Sequence, residues 1–508
     1  MLPFLKLYAD HASTRNLRPE DLDRRVHILN KWWTGLLELL NGRNGQSMSG
    51  NDRPAILEGV SGIMVRAEWR LLPSPFSART SETARPPFKS RSTSSLDSTA
   101  SEFLAESVYH NARNIFIQNL LAQMAFVVEK MSTRNVAASV VAFCGKASAY
   151  AFFFCPGVAD ILVRLWGTKT EVLRRVLKEI NVSRSTEFTA AHENIVASFP
   201  PCLHPLAFTS LPSMVRYLRS QPPLPLGSAL IPWNGTWVTR WTGRDTDLFF
   251  VFTKYFYILT SQLLPDGIDW RDSACAPGFI LVQAQILTVL DATIHRPTIH
   301  PVPDYSNGPL SATFDNLLAE PDATLNAIPL SPINTIRSMA ENRLIMLLRD
   351  FLSESPPVVK SAQEIFAAVF SAVLKAAARH TSIFDHNACF ALCDFMEEAI
   401  AILSRYHQTT LSPTAVLDWP FWLGVCKQMM ESQNTMTEIR LYAFLYTLWG
   451  IIVNDERRKR DLCLDWLLTK DVFEKQFNHW CPMVRAYFMR FLCWRVARFD
   501  GEASDQDE

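Results

Sequence analysis

The sequence has little glycine, 18 residues in 508. Dinucleotide-binding and barrel folds need glycine at the turns that join strand to helix, so that scarcity speaks against them. Net charge is also missing, because 50 Lys and Arg balance 50 Asp and Glu. A protein that holds nucleic acid by neutralising phosphates needs a basic excess. No Cys-x-x-Cys pair occurs among the ten cysteines, which stand singly and mostly inside apolar patterns such as Leu462-Cys463-Leu464. Buried free thiols in a reducing, cytoplasmic compartment are the expectation. The sequence has no Walker loop, G-x-S-x-G, H-E-x-x-H or G-x-G-x-x-G, so neither a reaction nor a cofactor is implied.

Long apolar runs are scarce as well. The opening Met1-Leu-Pro-Phe-Leu-Lys6 is too short for the hydrophobic core of a signal peptide. Without such a signal, Asn181-Val-Ser and Asn234-Gly-Thr read as chance glycosylation triplets. The strongest run, Leu248–Leu264, has 17 residues and one charge, Lys254, at the low end of a membrane-spanning length. Its Leu, Ile, Phe and Val contribute about −3 to −6 kcal/mol to insertion, while Lys254 costs about +3. Thr253, Thr260, Ser261 and Gln262 erode the balance, so a buried core helix is the better reading, with membrane anchoring as the alternative.

What the chain does have is apolar bulk in helical periodicity. Hydrophobic residues make up 48 %, with 32 Phe and 14 Trp, enough to fill a large core. Leu22, Val26, Leu29, Trp33, Leu36 and Leu40 form one stripe between Pro19 and Gly42, which predicts a helix with Pro in its first turn. A second helix is expected from Asp52, and together these give an N-terminal helical segment over 1–71. Residues 72–101 are rich in Ser, Thr, Pro and Arg and read as a disordered linker. Its Ser90, Ser92, Ser94 and Ser95 lie beside Lys89 and Arg91, as kinase sites can, though basic Ser-rich loops are common. A central helical region over 102–330 follows. It contains a Pro-rich stretch from Pro200 to Pro232 expected to wrap the surface, and a loop over 295–309. A C-terminal helical region covers 331–499, and an acidic tail 500–508.

The C-terminal region carries a faint repeat. Leu417-Asp-Trp419 recurs as Leu464-Asp-Trp466, 47 residues on, and Ile439-Arg-x-Tyr442 with Trp449 recurs as Val484-Arg-x-Tyr487 with Trp494, 45 residues on. That period lies in the range of HEAT and armadillo units. The fold expectation is therefore all-α and multi-helix, with solenoid-like packing in the C-terminal part.

The densest cluster of candidate site residues is Trp233-Asn-Gly-Thr-Trp237-Val-Thr-Arg240-Trp241-Thr-Gly-Arg244-Asp245-Thr-Asp247. Asp245-x-Asp247 matches the pattern that holds a divalent ion in many sugar-nucleotide transferases. Two carboxylates alone rarely make a metal site, and Thr242-x-x-Asp245 also reads as a capping box. In an extended segment Trp237 and Trp241 share one face and Arg240 the other, which would suit a stacking platform. Trp rings are usually buried, so plugging the interface between helical layers is the stronger reading. Arg240 and Arg244 are then expected to pair with carboxylates.

Two weaker candidates remain. His386, Cys389 and Cys393 share a helix face and could supply zinc ligands, although structural zinc prefers Cys pairs on turns; a Cys-lined core is favoured. The run Arg457-Arg-Lys-Arg460 could touch anionic lipid, but reads first as a solvated face.

The words Leu2-Pro-Phe-Leu, Leu22-Asp-Arg-Arg25, Asn30-Lys-Trp-Trp33 and Leu57-Glu-Gly59 resemble the start of a fungal family of unknown function, domain of unknown function 1765. Trp241-x-Gly-Arg-Asp-x-Asp247-Leu-Phe-Phe-x-Phe252, followed by Lys254-Tyr255, resembles it too, and the likeness runs from Leu2 to about Arg498. It implies an all-helical body and a fungal origin, and some relatives carry a membrane-protein label. It supplies no activity, ligand or catalytic residue. The family's long polar N-terminal extension has no counterpart in this sequence, so any role it carries is not implied here.

Taken alone, the sequence favours a cytoplasmic helical scaffold that binds other proteins, not nucleic acid, with peripheral membrane contact as an option. Anchoring by helix 248–264 is the alternative, and a metal-dependent enzyme using Asp245 and Asp247 comes third.

Overall fold

A computed structural model of the chain describes residues 2–8, 17–42, 52–71, 96–180, 188–296, 339–410 and 416–497, together with positions 11, 14, 74 and 76; residues 209, 266, 357 and 358 are not among them. Every regular element among the described residues is helical. The helices are α1 (Leu2–Leu7), α2 (Pro19–Leu40), α3 (Asp52–Met64), α4 (Leu96–Met131), α5 (Ala138–Phe154), α6 (Val158–Leu165), α7 (Thr170–Ile180), α8 (Phe188–Ser198), α9 (Leu211–Arg219) and α10 (Trp237–Trp241). They continue with α11 (Leu248–Leu263), α12 (Phe279–Ile294), α13 (Arg343–Leu352), α14 (Lys360–His380), α15 (His386–Thr410), α16 (Trp419–Glu431), α17 (Thr435–Ile452), α18 (Glu456–Leu462), α19 (Lys470–Phe477) and α20 (Pro482–Phe491).

The chain forms two compact units, residues 1–290 with 350–377, and residues 291–349 with 378–508. They do not follow the expected boundary between 330 and 331. Residues of α14 return to the first unit, where Phe366 meets Tyr257 at 5.0 Å between ring centroids and Gln363 donates to the Phe351 carbonyl at 2.7 Å.

In the first unit α5 is buried nearly all round, as expected of a helix apolar on every side. Helix α11 crosses it at Gly145, where a Cβ would stand 2.6 Å from Val251 Cβ and 2.9 Å from the Leu248 carbonyl oxygen. Helix α4 packs on α5, and α2 packs on α3 and α4. The stripe read from the sequence buries Leu22, Val26, Leu29 and Trp33, then continues at Leu37. Trp33 meets Trp69 edge-on at 5.5 Å, and Trp69 stacks on Phe116 at 5.6 Å. Beside them Arg66 and Glu68, each under 5 % exposed, form a two-pronged ion pair with bonds of 3.0 and 2.5 Å, and Arg66 also donates to the Tyr8 carbonyl at 2.7 Å.

Helix α4 starts six residues before the predicted Glu102, and Phe76, inside the predicted linker, is buried 5.2 Å from Phe154. Ser90 to Ser95, the loop from 297 onward and the tail 500–508 lie outside the described residues. The Pro-rich stretch contains α9, started by Ser210, whose hydroxyl accepts from the Ser213 N–H, with Pro212 in the first turn, where its missing N–H removes no helical bond.

In the second unit α15 packs on α17 and α17 on α20, while α16 packs on α17 and α19 on α20. Asp418, Asn434 and Asp455 open α16, α17 and α18 by accepting from backbone N–H groups, the usual work of such residues. Two π-turns, Cys463–Leu467 and Leu492–Val496, extend α18 and α20. The repeated words separate here. Arg440-x-Tyr442 and Arg485-x-Tyr487 lie on neighbouring helices, but Asp418 caps α16 whereas Asp465 sits within a π-turn. Trp419 lines a cleft with Phe444, Leu445 and Ile452 of α17, and Trp466 is covered by Lys427 of α16.

Candidate functional site

The Trp segment is a turn of helix, not an extended strand. A spacing of four places Trp237 and Trp241 on one side of a helix too, and both are fully buried. Trp241 stacks on Trp166 with centroids 5.5 Å apart and an interplanar angle of 12°, meets Phe252 edge-on at 4.7 Å, and donates its indole N–H to the Leu162 carbonyl at 2.9 Å. Trp237 donates to the Pro232 carbonyl at 3.2 Å. Arg240 donates to the Arg134 carbonyl at 2.8 Å, so its partner is backbone and not the expected carboxylate. Gln285 of α12 donates to the Thr242 carbonyl at 2.8 Å. Gly243 has φ +88°, and a Cβ there would lie 2.9 Å from Val289 Cγ2. Only glycine suits that combination of left-handed backbone and close approach.

The predicted capping box does not form. It would require helix from residue 243 onward, yet Gly243 and Asp245 both have positive φ. Helix α11 starts after Asp247, which stands at the N-cap but makes no side-chain capping bond to the helix, and Thr242 donates to the Thr239 carbonyl. Arg244, Asp245 and Asp247 are exposed. The segment therefore joins α4, α6, α11 and α12, with its aromatic half inside and its charged half outside. Among the described residues no three His, Cys, Asp or Glu side chains come together as a metal site.

Helix α11 faces protein. Phe249, Phe250 and Phe252 are buried and Lys254 pairs with Glu354. Among the described residues the helix that meets the length and composition of a membrane span is α14, and 78 % of its apolar window is buried inside the protein. His386 is exposed while Cys389 and Cys393 are buried. Cys389 bonds the Ser382 carbonyl and Cys393 lies 3.7 Å from the Met429 sulfur. Burial pushes both thiols up, Cys389 to about 11, which leaves them unreactive near neutrality.

The features that sequence reasoning missed lie on the last helices. Exposed large apolar side chains gather there: Leu464, Leu468, Phe477, Trp480, Met489 and Trp494, with Trp480 76 % and Trp494 60 % exposed. Residues 456–497 hold nine Lys and Arg against five Asp and Glu, a basic stretch in a neutral chain. The run Arg457–Arg460 belongs to it, with Arg458 4.8 Å over the Trp419 ring. Periodicity could not have signalled this, since Trp494 repeats a helical pattern as a core residue would.

Behind that surface α17 meets acidic groups of α15 and buries one of its own. Arg440 binds Asp394 at 2.8 Å and Glu397 at 2.6 Å. Two residues earlier Glu438 is completely buried, neither carboxyl oxygen accepts a hydrogen bond, and His479 Nε2 lies 3.4 Å away. Burial raises the Glu438 carboxyl to about 7, with Lys475 opposing weakly. Burial lowers His479, helped by Lys475 and Arg485 and opposed by its hydrogen bond with the Cys481 N–H. Near neutrality desolvation thus holds both partners toward their uncharged forms.

These helices are also where known proteins match. Residues 370–496 match the model of a family described as a protein of unknown function, DUF1765. Over 98 % of its length the chain is 23 % identical to the UPF0592 membrane protein of Schizosaccharomyces pombe, and it spans about half the length of that curated relative. No solved structure matches. The resemblance read from the N-terminal and Trp-segment words is thus borne out on other ground: the chain is similar to an uncharacterised fungal family through its C-terminal helices, and to a fungal relative through nearly all of its length.

Proposed function

We propose that the chain is a helical scaffold that docks on an anionic membrane surface from the cytoplasm through its last two helices. The observation that carries this reading is the exposure of Trp480 and Trp494 within a basic stretch. Trp at a membrane interface keeps its ring among acyl chains and its N–H in the headgroup layer. Each Lys or Arg near an anionic leaflet adds about 1 kcal/mol. The packing of α15, α17 and α20 in series, each pair of neighbours in contact, supports a stacked scaffold behind that surface. The relative's printed name, a membrane protein, agrees with membrane contact. Anchoring through residues 248–264 is the weaker route, because Lys254 is paired and the Phe cluster is covered.

Vesicle flotation tests the reading. The wild-type chain is expected to float with phosphatidylcholine vesicles containing phosphatidylserine, less so in high salt, and not with pure phosphatidylcholine. A Trp480→Ser, Trp494→Ser variant, folded by circular dichroism, is expected to stay at the bottom. A wild-type chain that does not float, or a variant that floats equally, overturns the reading and leaves another protein as the occupant of this surface.

A further inference from the structure

Where α5 and α11 pack in the first unit, two lysines and one carboxylate lie around one phenol, and an arginine lies one turn further along α5. Lys146 of α5 and Lys254 of α11 flank the Tyr255 ring, their ammonium nitrogens 5.2 and 5.8 Å from its centroid. Arg70, from the short turn Ala67–Arg70, lies 5.8 Å from the Tyr150 ring, one turn along α5 from Lys146. The carboxylate, Glu354, is taken by Lys254. Arg70 reaches Gln262 Oε1 at 3.4 Å, and its Nε is buried without a hydrogen-bond partner. Arg70, Lys146, Lys254 and Tyr255 are half-buried, so solvent reaches each of them.

Among the described residues neither Lys146 nor Arg70 has a carboxylate partner, in a chain whose charges balance overall. Burial, and secondly the charge of Lys254, push the Lys146 amine down to about 8, and no acid offsets them. Holding such a charge half out of water costs the fold free energy. An anion would remove that cost. Two cations within 6 Å of one phenol favour a dianion, and guanidinium binds phosphoryl oxygens in a two-pronged fork.

We propose that Arg70, Lys146, Lys254 and Tyr255 together bind a phosphoryl group, either free or as a lipid headgroup. The site shares no residue with the docking helices and stands or falls apart from them. Isothermal titration at pH 7 with inorganic pyrophosphate, and with dibutanoyl phosphatidic acid as a soluble headgroup, tests it. The wild-type chain is expected to bind at least one probe, and Lys146→Met and Arg70→Gln each to weaken binding by about tenfold or more. Tighter binding of pyrophosphate assigns free phosphate, and tighter binding of the lipid analogue assigns a headgroup.

A pH series on the wild type needs no variant. Sulfate keeps its charge from pH 7 to 9, while a Lys146 amine near 8 goes from about 90 % to about 10 % protonated. The neighbouring phenols stay protonated, since burial pushes Tyr255 to about 12 and raises Tyr150. Sulfate affinity should therefore fall several-fold. Failure of both phosphoryl probes to bind, wild-type affinity in both variants, or sulfate affinity constant across that range each overturns the proposal. If Lys146→Met does not fold, Arg70→Gln and the sulfate series still decide.

Discussion

Glu438→Gln should stabilise the protein above pH 7 and change little at pH 4.5. The carboxyl is fully buried on α17, accepts no hydrogen bond and faces a His479 that burial holds neutral. Its proton affinity is raised from an ordinary 4.5 to about 7. Between those values the folded chain holds a proton that the unfolded chain releases, so stability falls as pH rises through that window and levels off above it. At about 1.4 kcal/mol per pH unit, the loss is about 3 kcal/mol. Gln has nearly the same shape and no charge to desolvate, so it recovers most of that loss.

Urea denaturation of both proteins at pH 4.5 and pH 8 reads the effect as a difference of differences. The expected outcome is a Gln variant that gains on the wild type by about 2–3 kcal/mol between the two pH values. His479 supplies the refutation. If Glu438 were ionised and paired with a protonated His479, removing its charge would strand the imidazolium, and Gln would be the less stable protein near neutrality. A Gln variant weaker than wild type at pH 7–8 would refute the neutral-pair reasoning.

Arg66→Ala should cost about 3 kcal/mol in denaturant titration, because it removes the two-pronged partner of the buried Glu68 and leaves it Arg25 at 3.7 Å; Arg244→Ala, on an exposed side chain, should stay within about 0.5 kcal/mol. Gly145→Ala should lower the melting temperature through a loss of about 1–3 kcal/mol, since its Cβ meets Val251 and the Leu248 carbonyl; an unchanged melting temperature would mean that α5 and α11 do not cross there. Trp241→Ala should cost about 3–5 kcal/mol, measured the same way, for loss of a ring enclosed by Trp166 and Phe252.

Helix existence was legible because the stripes were dense. Leu22, Val26, Leu29 and Trp33 share a face in the sequence and are buried together in the structure. The end marked by Pro19 fell where local chemistry put it. The Trp segment was legible as an organiser and misread in detail. A spacing of four satisfies a helix and an extended strand alike, and nothing local announced that Gly243 and Asp245 would both be left-handed. The Arg–carboxylate pair expected at Arg240 or Arg244 occurs at Arg66 and Glu68 instead, two residues apart in an unremarked turn. Burial of a charge depends on what packs over it from elsewhere, and no local pattern reports that.

The same physics explains why a possible surface of function stayed hidden while the fold did not. Periodicity states which residues share a face, and it is silent on whether another element covers that face. In the sequence Trp494, beside Phe491, Leu492, Cys493 and Val496, has more apolar neighbours than Trp33 or Trp241. The structure encloses Trp33 and Trp241 and leaves Trp494 60 % exposed. An apolar face left uncovered is disfavoured in water, so exposure is informative where periodicity is not. Arg70 and Lys146 follow the same rule with the opposite chemistry. They are 76 residues apart in the sequence, and only the packing around α5 brings Arg70 over Tyr150, one turn along the helix from Lys146, while the nearby Glu354 is taken by Lys254.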